Sequence, residues 1–155
     1  MKAVIAVIGG GTCSDKEAMA AEQTGRLLAE HGAIVVCGGL GGVMEAVAKG
    51  AKANGGTTVG ILPGADAAAA NVYIDIPLAT GLGEMRSFLI VRAAHALIAI
   101  GGGMGTLAEL ALAQRIGRPV VGLHDSFRNA IDMPRVDTAE AAVRWALERA
   151  REEMV

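Results

Sequence analysis

Aromatic residues are nearly missing from this chain: two Phe, one Tyr and one Trp, 3% of 155 residues. A core without rings has to be filled by closely packed Ala, Val, Leu and Ile, and an apolar content of 52% supplies them. Excess charge is missing too. Fourteen Lys and Arg against sixteen Asp and Glu leave a formal net charge of −2, which offers no electrostatic footprint for nucleic acid. At 19% charged residues the chain reads as globular rather than disordered. No stretch reaches the roughly 18 to 20 uninterrupted apolar residues that a membrane span needs. Met1-Lys2 leads straight into a short strand-like run and not into a secretory signal, so a cytoplasmic protein without a membrane partner is expected. Cys13 and Cys37, the two cysteines, fit neither a metal spacing nor a disulfide framework. Free thiols in a reducing compartment, and no metal site, are the expectation.

What the chain has in quantity is glycine, 22 residues of it, placed where strand patterns give way to helix patterns. Short β-branched or apolar runs at 2–9, 33–37, 57–62, 72–76, 96–100 and 119–123 read as strands. Helices are expected from Ser14 to about His31, at 41–54, 84–94 and 105–116, and from Asp137 to about 152. Ser14 with Glu17, and Asp137 with Glu140, have the capping-box spacing. Segment 65–71 reads as a loop or a short helical turn, and 78–83 as a loop. Continuously apolar strands separated by helices argue for a parallel sheet covered on both faces. The expected architecture is one doubly wound, Rossmann-like α/β domain over 1–155, with about six or seven mainly parallel strands.

In such sheets ligands sit at the carboxyl ends of the strands. Three strands end there in glycine clusters, at 9–11, 38–42 and 101–105. A glycine before a helix lets backbone N–H groups approach an anion, and the helix dipole favours negative charge at that point. The clusters therefore point to phosphate, with Gly10, Gly11, Gly39 and Gly41 as expected contributors. No G-x-x-x-x-G-K-[ST] occurs, which excludes a P-loop nucleotidase. The first turn reads "GGGTCSD" and the second strand ends in "CGG", so an ordinary dinucleotide site is not expected either.

"IAIGGGMGTLAEL", residues 98–110, adds a carboxylate to the third cluster. Thr106 with Glu109 is itself spaced as a capping box, which would give Glu109 a purely local task. Arg86 opens a second reading. From Arg86 the chain descends about nine helical residues at ~1.5 Å each and climbs about five strand residues at ~3.3 Å each. Those lengths nearly cancel, so Arg86 and Glu109 return to the same sheet edge on neighbouring helix starts. A cation at a helix start opposes the dipole, and is better explained if it faces an anion or a carboxylate. A solvated surface arginine is the plainer alternative.

The stretches "VCGGLGGVMEAVAKGAKANGGTTVGILPG" and "MRSFLIVRAAHALIAIGGGMGTLAEL" resemble the Lonely Guy proteins, long labelled lysine decarboxylase-like, and their wider Rossmann-like superfamily. Over about residues 3 to 124 the resemblance implies a phosphoribohydrolase that cuts nucleoside 5′-monophosphates to free base and ribose 5-phosphate. It implies no decarboxylation of lysine and no cofactor for the hydrolysis. The family's arginine and glutamate fall on Arg86 and Glu109, a second arginine on Arg92, and the phosphate loop on Gly102, Gly103, Gly105 and Thr106. The chain departs from the pattern where the family's proline is Gly101, where a lysine is Ser87, and where the short run Glu84-Met85-Arg86 replaces a longer motif. Those departures resemble short bacterial proteins close to molybdenum cofactor carriers, which bind a pterin monophosphate on the same floor without cleaving it. The molybdenum cofactor is then a carried ligand.

The hydrolase reading implies that Glu109 steadies an oxocarbenium-like ribose and orients water, while Arg86 keeps Glu109 ionised and helps to bind the nucleotide. Either reading takes a nucleotide or pterin phosphate as its small-molecule partner. His95 is expected as a packing histidine. His124, beside Asp125, sits at the ligand edge, and Glu45 is expected to complement a helix dipole. Asp66 and Asn71 fall in the 65–71 segment, where sequence decides nothing. Phe88-Leu-Ile-Val91 is apolar all round a helix that a sheet covers on one side only, so a homodimer or larger homo-oligomer with the 84–94 helix near its interface is expected.

Overall fold

The structure, a computed structural model, describes residues 1–155. Seven strands form one sheet: β1 (Val4–Gly9), β2 (Ile34–Cys37), β3 (Thr57–Leu62), β4 (Ile76–Ala79), β5 (Ala96–Gly101), β6 (Val120–Asp125) and β7 (Arg135–Val136). Their order is β4-β3-β2-β1-β5-β6-β7, and every neighbouring pair is parallel. Five helices complete the chain: α1 (Asp15–Glu30), α2 (Val43–Ala53), α3 (Arg86–Ala93), α4 (Met104–Arg115) and α5 (Ala139–Glu153). The fold is the Rossmann-like α/β class expected from the alternating pattern.

The pleat sorts the central strands into two cores. Ile5, Val7, Ala96, Ile98 and Ile100 join the buried faces of α1, α2 and α5. Ala6, Ile8, Leu97 and Ala99 alternate with them and meet Ile90, Val91 and Ala94 at α3 and Leu110 and Ala113 of α4. Small side chains allow close layers, which answers the shortage of rings. At Gly25 of α1 a methyl group would overlap the Val47 carbonyl of α2, and at Gly50 it would overlap the Glu22 carbonyl, so the two helices touch backbone to backbone.

β1 leads through α1 to β2 on one side, and β5 leads through α4 to β6 on the other. The sheet order therefore reverses between β1 and β5, and the crevice that this opens at the carboxyl edge is where such sheets bind ligands. All three glycine clusters lie at that edge.

Several boundaries differ from the sequence reading. The strand expected at 72–76 is displaced to Ile76–Ala79, because Asn71 Oδ1 accepts from the Tyr73 amide and Thr58 Oγ1 donates to the Tyr73 carbonyl, holding 71–75 in a turn. Pro77 does not stop this strand; β4 is at the sheet edge, where a missing N–H breaks no ladder. Thr138, not Asp137, caps α5 by accepting from the Ala141 amide. The two-residue β7 is too short to leave a pattern. The Ser14–Glu17 capping box forms as expected, in both directions.

Candidate phosphate-binding cleft

The end of β5 shapes the floor. Gly101 has φ +58 and Gly102 has φ +114, both in the left-handed region that side chains disfavour. A β-carbon on Gly101 would also overlap the Glu17 carboxylate, which the α1 capping box holds in place. Proline, locked near φ −65°, cannot occupy this position. The replacement of the family's proline thus follows from the packing of α1 against the end of β5.

After that turn the chain enters α4 at Met104, with Gly103 as N-cap and no side chain capping the helix. The first-turn amides are left open to a ligand. At Gly103 and Gly105 an added β-carbon would meet nothing within 4 Å. These two glycines therefore keep a space clear rather than relieve a clash. Thr106 and Glu109 both lie inside the helix, so the capping-box alternative for Glu109 does not occur.

Above this floor a cleft of about 540 Å³ is lined by Gly9–Gly11 from β1, Gly38 from the end of β2, Met44 of α2, and the starts of α3 and α4. Arg86 and Glu109 both line it. Arg86 opens α3, and its guanidinium lies against Gly38, where a β-carbon would come within 2.9 Å of Nη1 and Nη2. Its Nε is buried and has no hydrogen-bond partner. The chain's five ion pairs do not include Arg86 or Glu109, so the two share the cleft without touching.

Glu109 is only 6% exposed. Burial pushes its carboxyl up to about 7, and the positive charge of Arg86, acting the other way, does not offset it. The expectation that Arg86 holds Glu109 ionised is therefore corrected: near neutrality the carboxyl is shared between its neutral and charged forms. Beside them the Cys37 thiol is buried and pushed up to about 11, chiefly by burial, so it stays protonated and inert. Cys13 and Cys37 are both free thiols. No group of three or more His, Cys, Asp or Glu is placed to hold a metal.

Of the other candidates, Gly10, Gly11, Gly103, Gly105 and Thr106 line the cleft, whereas Gly39, Gly41, Gly102 and Arg92 do not. Gly39 and Gly41 shape the β2–α2 turn, where Asn71 donates to the Leu40 carbonyl and the Asn71 amide to that of Gly39. Arg92 is exposed in the last turn of α3. Asp66 caps a short 3-10 turn, and Glu45 is exposed in the first turn of α2. His95 accepts from the Val4 amide at 3.0 Å, as a packing histidine would. His124 is half-buried with φ +54, outside the cleft. Sequence reasoning missed Met44, Pro63, Glu84 and Phe88 as lining residues. Only Glu84 carried a signal, two residues before the arginine.

Fold and cleft together define a Rossmann-like protein with a glycine-lined cleft at the carboxyl edge of its parallel sheet. Residues 2–151 match the SLOG cluster4 family, and the chain belongs to it. It is 43% identical over 144 residues to an uncharacterized protein of Archaeoglobus fulgidus, spanning 92% of this chain and 93% of that one. Among solved structures, the molybdenum cofactor binding protein of Rippkaea orientalis is similar at 32% identity and a TM-score of 0.89, covering 96% of this chain and 97% of that one. The molybdenum cofactor carrier protein of Chlamydomonas reinhardtii is similar at 32% identity and a TM-score of 0.86, covering 97% and 99%. No helix is long and apolar enough to cross a membrane.

The raised Glu109 value links stability to pH. A carboxyl that titrates near 7 when folded and near 4.5 when unfolded binds more protons in the folded state between those values. Its contribution is fully present below pH 4.5 and is lost as pH rises through 7. Glu109→Gln removes this dependence. The stability of the variant relative to wild type should therefore grow between pH 4 and pH 8, on the order of 3 kcal/mol. Urea titrations at several pH values would measure it, and parallel profiles would show that Glu109 is not desolvated in this way.

Proposed function

We propose that this protein binds a phosphorylated pterin, or a nucleotide much like it, and holds it without cleaving it, as a cofactor carrier. The observation that carries this reading is the charge of the cleft: an arginine without a carboxylate partner, open helix amides, and a buried carboxyl that titrates near 7. Such a cleft attracts an anion. A bound phosphate brings further negative charge, which favours the protonated form of Glu109 still more. Glu109 then offers a neutral O–H donor and not the fixed negative charge that an oxocarbenium-like ribose requires. The whole-chain likeness to proteins named as molybdenum cofactor binders and carriers supports the same ligand class here. The cofactor is cargo in this reading. Gly103 and Gly105 leave room for its phosphate, and the Arg86 guanidinium supplies the charge-assisted contact.

The phosphoribohydrolase reading has one observation in its favour, that Arg86 and Glu109 line a single cleft beside the glycine floor. A single experiment separates the two. Wild-type protein incubated with adenosine or guanosine 5′-monophosphate should release no free base by chromatography, yet calorimetry should detect binding. Gly105→Val should fold with unchanged thermal stability, because its side chain enters open space, and should bind neither nucleotide. Turnover by the wild type that collapses in Glu109→Gln would establish the hydrolase instead, since one electrostatic contact is worth roughly 10²- to 10³-fold in rate.

The assembly proposed is a homodimer through α3. Leu89 is 42% exposed, and Met85 just before the helix is 58% exposed; neither lines the cleft. A second copy would cover this surface. The free thiols fit a reducing, cytoplasmic setting. Sedimentation velocity at micromolar concentration should give a dimer or a multiple of one, and Leu89→Glu should shift it to monomer. A wild-type monomer would remove this part of the proposal.

A further inference from the structure

The two ends of the cleft differ in chemistry. One end is the glycine floor at the start of α4, after β5. The other is the turn at Gly83–Met85, fixed where the Gly83 amide donates to the Pro63 carbonyl beyond β3 at 2.9 Å. Between β5 and β3 lie three strand intervals in the order β5-β1-β2-β3, ~14 Å at ~4.8 Å each. That span suits a mononucleotide or pterin phosphate lying extended with its phosphate on the floor. Its heterocycle then reaches the 83–88 end.

Two residues wait there. Phe88 is the one aromatic ring lining the cleft, half-exposed and able to stack on a flat heterocycle. Glu84 lines the same end, is exposed, and belongs to none of the chain's ion pairs. By the same three-interval span it lies beyond the ~8 Å screening length at physiological salt from the floor, which weakens its repulsion of a phosphate bound there. A carboxylate is a pure acceptor with two parallel oxygens, and it pairs best with two adjacent N–H donors. The 2-amino-4-oxopyrimidine ring shared by guanine and pterins presents that pair, a ring N–H beside an amino group. Adenine has an acceptor where that ring has its N–H.

We propose that Glu84 selects the ligand by accepting from the ring N–H and the 2-amino group of a 2-amino-4-oxopyrimidine, with Phe88 stacked on the ring. This specificity rests on the phosphate-binding reading given above and names the residues that would read the heterocycle.

Calorimetry of the protein with guanosine, inosine and adenosine 5′-monophosphates tests it, with inorganic phosphate as a control for the floor. Wild type should prefer the guanosine to the adenosine nucleotide by roughly 10- to 100-fold, the worth of a hydrogen bond to a charged group, with inosine between because it lacks only the amino group. Glu84→Ala should lose the preference by weakening the guanosine nucleotide most, the inosine nucleotide less and the adenosine nucleotide not at all, and Glu84→Gln should retain part of it. Neopterin 3′-phosphate distinguishes the two sources of the ring: tighter binding than the guanosine nucleotide assigns a pterin, weaker binding assigns guanine. Equal affinities in wild type would overturn the proposal and leave the phosphate floor standing. Equal weakening of all three nucleotides in Glu84→Ala would also overturn it, since the carboxylate would then read the ribose diol. If neither phosphate nor any nucleotide bound, the phosphate reading would fall and this proposal with it.

Discussion

The site depends on a carboxylic acid buried beside an arginine that does not reach it. Had Arg86 paired with Glu109, the cleft would be neutral, with both groups satisfied and little reason to take up a ligand. Apart, they leave one cation without a counter-charge and one acid that burial keeps half-protonated near neutral pH. The unpaired cation favours an anion, and protonation of the acid removes the charge that would oppose one. The separation is built by the backbone: α3 begins where its first residue lies against Gly38, and α4 begins at Met104, five residues before Glu109, so the two groups approach the cleft from different helices.

The glycines serve this arrangement in two different ways. Gly101 and Gly102 bend the chain through left-handed conformations so that α4 starts at the cleft wall. Gly103 and Gly105 contribute only empty space over the open amides. A third use, away from the cleft, is the backbone contact of α1 with α2 at Gly25 and Gly50, which keeps the two helices close. The core and the site are thus joined through Glu17: the capping box that starts α1 also presses on the turn that starts the floor.

Much of this was legible in the residues. The alternation of apolar strands with helices has one interpretation in a short chain, a parallel sheet, and glycine clusters after three strands mark its ligand edge. Counting rise per residue brought Arg86 and Glu109 to one edge, because regular elements have fixed lengths. What was not legible depends on tertiary context. Pro77 looks like a strand stop unless the strand is known to be an edge. Thr106 with Glu109 has capping spacing, but the helix starts two residues earlier than Thr106, and only the φ values of Gly101 and Gly102 make that start. The balance between burial and the arginine at Glu109 needs distances that no spacing contains. Glu84 and Phe88 become site residues only once the turn at 83–85 is seen tied to Pro63.

The central claim, that the cleft takes an anion together with a proton on Glu109, is tested most directly by proton counting. Calorimetric titration of guanosine 5′-monophosphate at pH 7.5, in buffers of different ionisation enthalpy, reports the protons bound with each ligand. Wild type should take up a proton fraction between zero and one, larger than any uptake by the nucleotide phosphate itself, and Glu109→Gln should lose that excess while still binding. Identical proton counts in the two proteins would contradict the account, because Glu109 would then be titrating independently of the ligand.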